Sequence, residues 1–494
     1  MSPLYAVIDL GSNSFHMLIT RLVADSVLVV DKVKRKVRLA SGLNSENILD
    51  DAAIARGLEC LRFFAERLQD IPQKNVRIVA TATLRLATNR DKFLIAAQAI
   101  LGQNINLLSG EQEAENIYLG VAHTSCGPLK RFVIDIGGAS TELILGDGYL
   151  VKQITSLDMG CVTFNNLFFP NGYITPQAFT QAIQAAKNLI NPLIATYQKT
   201  PWEIALGGSG TIQALAEMQS FNHQSTGITL EYLNEIKHSL INCKTIKAIN
   251  LAGLTPARTP VITSGLAILI AVFESFDLKE IQLSNGALRE GLLYEMLPKN
   301  KDLSIRQRTI NSLTEKFHVD IEHAKRIKKH AGNLFSLYEN IWSLDPTKTL
   351  SLLNASCDLH EIGLLLEYKN HQQHSAYVLK HVALPGFYQK ERQLIVALVL
   401  LYKGDIDTKV LQSQSMVDYQ QACYLLVILR LAVILCRRRK DEALPNYQTT
   451  VDGNRINLCL PKEWLEQHPL IKDELQQENE HLAAINLSLN MYCE

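Results

Sequence analysis

The sequence predicts an α/β protein: two related lobes facing each other across a cleft, followed by a largely helical half. Three observations carry this. Residues 6–19 read AVIDLGSNSFHMLI and residues 132–145 read FVIDIGGASTELIL, an internal repeat. Strand-like and helix-like segments alternate up to about residue 300, the pattern of α/β layers. Beyond that point the strand-like alternation fades and apolar helical spacing dominates. At 494 residues the chain is too long for a single hydrophobic core.

Each half of the repeat is an apolar β run, an aspartate, a Gly/Ser turn and a second β run, which reads as a hairpin whose tip exposes backbone N–H groups. Asp9 aligns with Asp135, Gly11 with Gly137 and Ser14 with Ser140. Between the hairpins the pattern gives a strand over 33–39, a helix over 52–68, a strand over 76–81, a helix over 91–100 and a strand over 105–108. Ser109 then N-caps a helix with acids in its first turn. After Asp135 come a helix over 176–197, a strand over 202–206, the turn GGSG at 207–210, a helix over 263–276, a strand over 281–283, and a turn and helix over 286–296. Helices such as 324–337 and 394–401 follow, with a strand at 456–460. A short charged stretch at 299–302 and a second break near 440–446 divide the chain into domains 1–125, 126–300, 301–440 and 441–494.

Composition narrows the function. Hydrophobic residues make up 47% and charged residues 20%, an ordinary globular balance. Lys plus Arg equals Asp plus Glu at 49 each, so no global field draws the chain to nucleic acid or to a membrane surface, and any polyanion must be held by a local patch. Nine cysteines form no CxxC pair, which argues against a disulfide framework or a thiolate zinc site. The N-terminus runs into a strand with no basic leader. The apolar stretch 422–436 is interrupted by Arg430 and is shorter than the roughly 20 residues that span a bilayer, so it reads as a buried helix. A soluble, cytoplasmic protein is expected.

Gly/Ser-rich tips make anion nests, because successive N–H groups converge and small side chains let a phosphate approach. The tips at Gly11, Ser12, Asn13 and Ser14 and at Gly137, Gly138 and Ser140 would clasp phosphate from two sides. Asp9 and Asp135, each ending a first strand, stand where a Mg²⁺ ion would bridge phosphate oxygens. Gly208, Ser209 and Gly210 add a third loop just past a strand, on the nucleotide side. A terminal phosphate needs a base for the attacking water. Glu111, Glu113 and Glu115 lie on one segment, and helical spacing alone does not choose among them. Arg85 would hold a phosphate bidentately or lie on the surface. Glu142, two residues past Ser140, would support the metal or be an ordinary strand glutamate. Lys32, Lys34, Lys36 and Arg38 alternate along one strand, which either feeds a polyanion into the cleft or protects an edge.

These motifs resemble the exopolyphosphatase and guanosine pentaphosphate phosphohydrolase family of bacteria. DLGSNSFH, GLNSENIL, ATATLRLATN, DIGGASTEL, SLDMGCVTF, SGLAIL and ALREGLLYEML run in that family's order, and LHEIG lies in the C-terminal half. The resemblance implies two actin-like (ribonuclease H-like) lobes, a helical HD-like domain and a small C-terminal domain, as a homodimer. It implies Mg²⁺-dependent removal of the 5′-terminal phosphate of guanosine pentaphosphate, or of the end phosphate of polyphosphate. The catalytic glutamate falls on Glu113, the phosphate-contacting arginine on Arg85 and the phosphate loops on the two hairpin tips. Glu115 stands where the family is often basic, and Asn285 replaces a glycine. His360-Glu361 resembles the His-Asp pair of metal-dependent HD phosphohydrolases, with Glu361 in place of Asp. His330 and His374 are available as further ligands, and the weight here is on a metal-free scaffold. The competing readings are a nucleotide sensor with little hydrolysis and a sugar kinase; the glutamate on the cleft helix and the long helical half speak against them.

Overall fold

The computed structural model describes residues 3–23, 26–44, 46–125, 129–221, 227–297, 304–440 and 444–492. It divides into two compact units: residues 1–22 with 27–305, and residues 23–26 with 306–494. The break expected at 299–302 lies outside the described residues, as do residues 441–443 of the one near 440–446.

The first unit holds two sheets of matching design. Strands β1 (Leu4–Leu10), β2 (Ser14–Val23) and β3 (Ser26–Lys36) form an antiparallel meander, and β4 (Val76–Ala80) and β5 (Asn106–Leu107) continue the sheet in parallel, in the order β3-β2-β1-β4-β5. In the second sheet β6 (Lys130–Ile136), β7 (Thr141–Asp147) and β8 (Leu150–Leu157) repeat the meander. There β9 (Ile204–Gly207) and β11 (Glu280–Leu283) repeat the parallel extension, and β10 (Ile228–Thr229) is added at the edge. The repeat read from 6–19 and 132–145 is thus a duplication of whole lobes, as the actin-like expectation requires. The strand expected over 33–39 ends instead at Lys36. Arg38, at φ 53, lies in the left-handed region and turns the chain out of the sheet into a short 3-10 turn.

Apolar faces set the layering. Ala6, Ile8, Phe15, Ile54, Leu61 and Phe64 pack the outer face of the first sheet, and Phe132, Ile134, Leu143, Phe179 and Leu269 that of the second. The intervening residues of the same strands, Val7 and Val79 in the first sheet and Val133, Ile144 and Leu206 in the second, turn the other way. They share one core with Ile117, Val121, Leu288 and Leu292. Those last four belong to two helices, Gly110–Thr124 and Leu288–Met296, that cross between the lobes. Thr259–Phe276 is long and apolar enough to cross a membrane, but here it fills the core of the second lobe.

In the second unit, helices including Ile321–Tyr338, Pro346–Leu359, Gln389–Leu401 and Tyr419–Leu435 share one core with a sheet of β12 (Gln448–Asp452), β13 (Arg455–Cys459) and β14 (Ser488–Tyr492). Of these strands only β13 is anticipated by the sequence pattern. The apolar stretch containing Arg430 is a buried helix as expected. Its guanidinium is satisfied by Glu478, at 2.6 and 2.8 Å, and by the Gly404 carbonyl at 2.9 Å.

The crossing of the two inter-lobe helices depends on glycine. A Cβ on Gly120 would stand 2.0 Å from the Ala287 oxygen and 2.8 Å from the Gly291 nitrogen. Gly120→Ala is therefore expected to cost about 1–3 kcal/mol by forcing the helices apart. A urea-unfolding midpoint equal to that of the wild type would show that the crossing does not need this contact.

Candidate active site

Both hairpin tips are built to keep their carbonyl ends occupied. The Asn13 and Ser12 oxygens accept from the amides of Arg38 and Ala40, each at 2.9 Å. The Gly137 and Gly138 oxygens accept from Cys161 and Val162, at 2.9 and 2.8 Å, at the start of helix Cys161–Phe168. Among the described residues, the amides of Ser12, Asn13, Gly138 and Ala139 donate to no protein oxygen, which leaves them for an anion. The glycines are required by the closeness of the turn. A Cβ on Gly11 would lie 2.9 Å from the Ser14 oxygen and one on Gly137 3.0 Å from the Ser140 oxygen, while one on Gly138 would lie 2.7 Å from the Ser12 Cβ. The tips of the two lobes therefore touch, with Ser12, Ser14 and Ser140 buried.

Four carboxylates gather beside them. Asp9 and Asp135 end the first strands of the two hairpins, and Glu142 pairs with Asp135 across β6 and β7. Glu113 comes from the first turn of helix Gly110–Thr124, which Ser109 caps through a capping box with Gln112. Of the three candidate glutamates only Glu113 is buried; Glu111 and Glu115 point to solvent, as a two-residue offset on a helix dictates. Arg85 follows strand β4, in the short helix Ala82–Leu86. Its Nη1 donates to Glu113 Oε2 at 3.1 Å and to the Leu108 carbonyl at 2.9 Å. Ser156 donates to Glu142 Oε1 at 2.9 Å.

This grouping is electrostatically costly. Burial, with Arg289 opposing and Glu290 adding to it, raises the Asp9 pKa to about 6. Burial and the charges of Glu113 and Asp9 raise Asp135 to about 7. Glu113 is raised well above its ordinary value by burial and then by Glu142, against Arg85. Glu142 is raised by burial and by Asp135, with Ser140 and Ser156 opposing. Asp9 Oδ1 is buried without a hydrogen-bond partner. An unsatisfied carboxylate oxygen among carboxyls that all resist ionisation fits a hard divalent cation with oxygen ligands. Asp9, Asp135 and Glu142 are the residues that would hold it.

Basic side chains adjoin these carboxylates, Arg289 bearing on both Asp9 and Asp135. His16 pairs with Asp9 across β1 and β2, as Glu142 pairs with Asp135 in the other lobe. His16 Nδ1 lies 3.1 Å from Arg289 Nη1 and so accepts from it. Burial, then Arg289, Lys34, Arg258 and Lys32, push its pKa down to about 2. Lys34 is lowered to about 8 by burial and by Arg258 and Arg289, and Lys32 is lowered by burial and by Arg289. β3 is an edge strand, and Lys32 and Lys34 on it face Arg258 and Arg289 of the second lobe. The Arg258 guanidinium fills the space that a Cβ on Gly210 would need, 1.5 Å away, which ties the 208–210 loop to this cluster. Ser209 Oγ accepts from the Ile212 amide at 3.4 Å at the start of helix Gly210–Phe221, which leaves its O–H free to donate. Gly208 packs on the Gly286 carbonyl, 3.1 Å from where its Cβ would be, and Asn285 is exposed with no positive φ. Arg258, Arg289, His16 and Ser156 are not among the residues singled out from the sequence. Arg289 stands within the ALREG motif, and His16 stands opposite Glu142 in the aligned repeat.

In the second unit the structure brings His323, not His330 or His374, to His360 and Glu361. His330 faces the Tyr447 hydroxyl at 3.3 Å and His374 faces Glu367 at 3.8 Å.

Residues 18–300 match the Ppx/GppA phosphatase family and residues 305–479 match that family's domain III. The chain belongs to the Ppx/GppA phosphatase family. It is 46% identical over 485 residues to the guanosine-5′-triphosphate,3′-diphosphate pyrophosphatase of Pseudoalteromonas translucida, covering 98% of this chain and 97% of that one. Over 478 residues it is 46% identical to the protein of the same name from Photobacterium profundum, covering 97% and 96%. Among solved structures, an exopolyphosphatase from Cytophaga hutchinsonii is similar at a TM-score of 0.55 and 24% identity, over 59% of this chain and 97% of that one. The Aquifex aeolicus PPX-GPPA enzyme is similar at a TM-score of 0.51 and 23% identity, over 60% and 100%. Ppx/GppA membership makes the chain a phosphatase, and the duplicated lobes agree with the fold of these neighbours.

The raised carboxyls make a pH prediction with a defined sign. Asp135 stands at about 7 when folded against an ordinary value of 3.8, so between those limits the unfolded chain loses its proton first. In metal-free protein the wild type should lose stability relative to Asp135→Asn as pH rises from about 4 to 7, by on the order of 2–4 kcal/mol, with no further change above. Urea midpoints of the two proteins at pH 5 and pH 8 test this; a difference that is the same at both would remove the strain from Asp135.

Proposed function

We propose that this phosphatase removes the 5′-terminal phosphate of guanosine pentaphosphate, giving guanosine tetraphosphate and inorganic phosphate. The observation that carries the reading is the mixed cleft, with water-activating and cation-holding carboxylates beside the hairpin tips and Lys32, Lys34, Arg258 and Arg289 grouped around His16, the cross-strand partner of Asp9. A substrate carrying phosphate beyond the one being cut suits such a cleft better than a simple monoester does. The names of the two 46%-identical relatives support the nucleotide over polyphosphate.

In this mechanism Glu113 is the general base. Its Oε2 is held by Arg85, which leaves Oε1 to take a proton from the attacking water. Burial raises its proton affinity, so it is a stronger base than a carboxylate in water. The amides of Ser12, Asn13, Gly138 and Ala139 bind the oxygens of the terminal phosphoryl group and take up charge as the phosphorus–oxygen bond breaks. Asp9, Asp135 and Glu142 would hold Mg²⁺, which when bound offsets charge on the phosphate oxygens. Arg289, which donates to His16 beside Asp9, would meet the phosphates of the leaving group. A cytoplasmic setting and a homodimer belong to the same proposal.

Phosphate release with Mg²⁺ from guanosine pentaphosphate, long-chain polyphosphate and ATP, compared side by side, tests the reading. Release from the pentaphosphate with ATP inert is expected; preference for polyphosphate would move the chain to the exopolyphosphatase branch, and nucleotide binding without release would make it a sensor. Glu113→Gln should lower kcat at least about a hundredfold while substrate still binds. Lys34→Ala should raise KM more than it lowers kcat, and wild-type kinetics in that variant would return β3 to the role of a protected edge.

A further inference from the structure

The helical unit contains a cluster that the phosphatase reading does not use. His323 and His360 are 3% and 1% exposed, on helix Ile321–Tyr338 and just after helix Pro346–Leu359. His360 Nδ1 lies 2.9 Å from the Cys357 carbonyl oxygen. Only an N–H can face a carbonyl at that distance, so the ring proton is on Nδ1 and Nε2 presents a bare lone pair. That Nε2 has no hydrogen-bond partner, and neither does His323 Nδ1. Glu361 Oε1 lies 4.0 Å from His360 Nε2. One ligand atom from each of the three residues falls within 4.8 Å of the others.

Two buried imidazole nitrogens without partners ask for one, since buried polar groups are almost always satisfied. A backbone carbonyl fixing the far nitrogen of a histidine is the arrangement that orients a metal ligand. The cation now facing Glu361 is Arg439, which also reaches Asp320 at 3.2 Å. Its backbone stands at φ 54, in the left-handed region that arginine rarely adopts, and its side chain is 42% exposed, so it can withdraw toward solvent. A second cation arriving at Glu361 would displace it.

We propose that His323, His360 and Glu361 bind one divalent transition-metal ion of the zinc class, with Arg439 the resident cation that the metal displaces. Two imidazoles and one carboxylate are too rich in nitrogen for Mg²⁺ or Ca²⁺ and suit Zn²⁺ or Co²⁺. Ligand distances of about 2.0–2.2 Å require the three atoms, now within 4.8 Å of one another, to close to roughly 3.5 Å. Three protein ligands leave an open position for water. The site is separate from the cleft carboxylates and does not depend on the substrate assigned to them.

The test is titration of the chelator-stripped full chain with Co²⁺, read by its visible ligand-field absorption. One Co²⁺ per chain is expected, with no thiolate charge-transfer band and with displacement by Zn²⁺. His323→Gln and Glu361→Gln should each weaken binding about a hundredfold or more, beyond the loss usual for removing a supporting contact. Arg439→Ala should bind more tightly than the wild type. Circular dichroism on each variant confirms that it is folded. Absence of the band in the wild type, or a band that survives in both folded ligand variants, overturns the proposal; in the second case the ion sits on the cleft carboxylates or on cysteine.

Discussion

Four carboxylates in one half-dry cleft are the constraint around which the first unit is organised. Asp9, Glu113, Asp135 and Glu142 come from both lobes and from the helix between them, and all four resist ionisation because burial and their mutual charge oppose it. A fold selected for stability alone would not converge such groups, since like charges out of water are expensive. The cost is tolerable because the surrounding packing leaves them no alternative. Val7 and Val133 flank Asp9 and Asp135 on the same strands and are anchored in the shared inner core, and Ala114 anchors the residue after Glu113 in that core too. Bound cation and phosphate would convert the strain into binding energy, which is the usual relation between a perturbed cluster and its ligand.

The duplication supplies the frame, and its breakage supplies the chemistry. Asp9 and Asp135, Gly11 and Gly137, and Ser14 and Ser140 are kept equivalent down to the contact each glycine makes with the serine carbonyl three residues on. One step further the equivalence fails: His16 faces Asp9 where Glu142 faces Asp135. A neutral imidazole surrounded by Arg289, Lys34, Arg258 and Lys32 makes one side of the tips cationic, while a carboxylate held by Ser156 makes the other anionic. Two symmetric hairpins would clasp a phosphate without distinguishing its two ends. Under the proposed function the unequal pair would give the cleft a direction, with the attacking water beside Glu142 and Glu113 and the remaining phosphates beside the basic residues around His16.

Much of this frame was legible in the sequence because the signals were local. Period-two alternation, the glycine demanded by each tight turn and the Ser109 capping box all act within a few residues, and each locates an element directly. The choice of Glu113 over its neighbours needed the rotation of one helix against the core, which resemblance supplied and spacing did not. Arg258 and Arg289 stayed hidden because they reach the site from positions more than a hundred residues beyond either hairpin. His323 was passed over for His330 and His374 for a related reason: which face of helix Ile321–Tyr338 turns inward is decided by packing, and Ala324, Ile327, Ala331 and Leu334 carry His323 in with them. β3 was misplaced because the apolar residues Val37 and Leu39 continue its alternation, while the backbone at Arg38 does not.

One small residue joins the two sides of the acidic cluster. A Cβ on Gly110 would stand 2.6 Å from the Ser156 Cβ and 3.8 Å from Arg85 Nη2. Ser156 holds Glu142 and Arg85 holds Glu113, so the bare backbone at Gly110 lets both supports close on the same point from opposite directions. Arg85 there offsets the Glu113 charge while the cleft is empty of substrate. An arriving terminal phosphate would compete for the same guanidinium, since phosphate and carboxylate present similar oxygen pairs to it. Drawing Arg85 toward phosphate would loosen its hold on Glu113 and raise the proton affinity of that carboxylate further, at the moment when a base is needed. Substrate binding and base strength would then be coupled through one side chain, with no moving domain required.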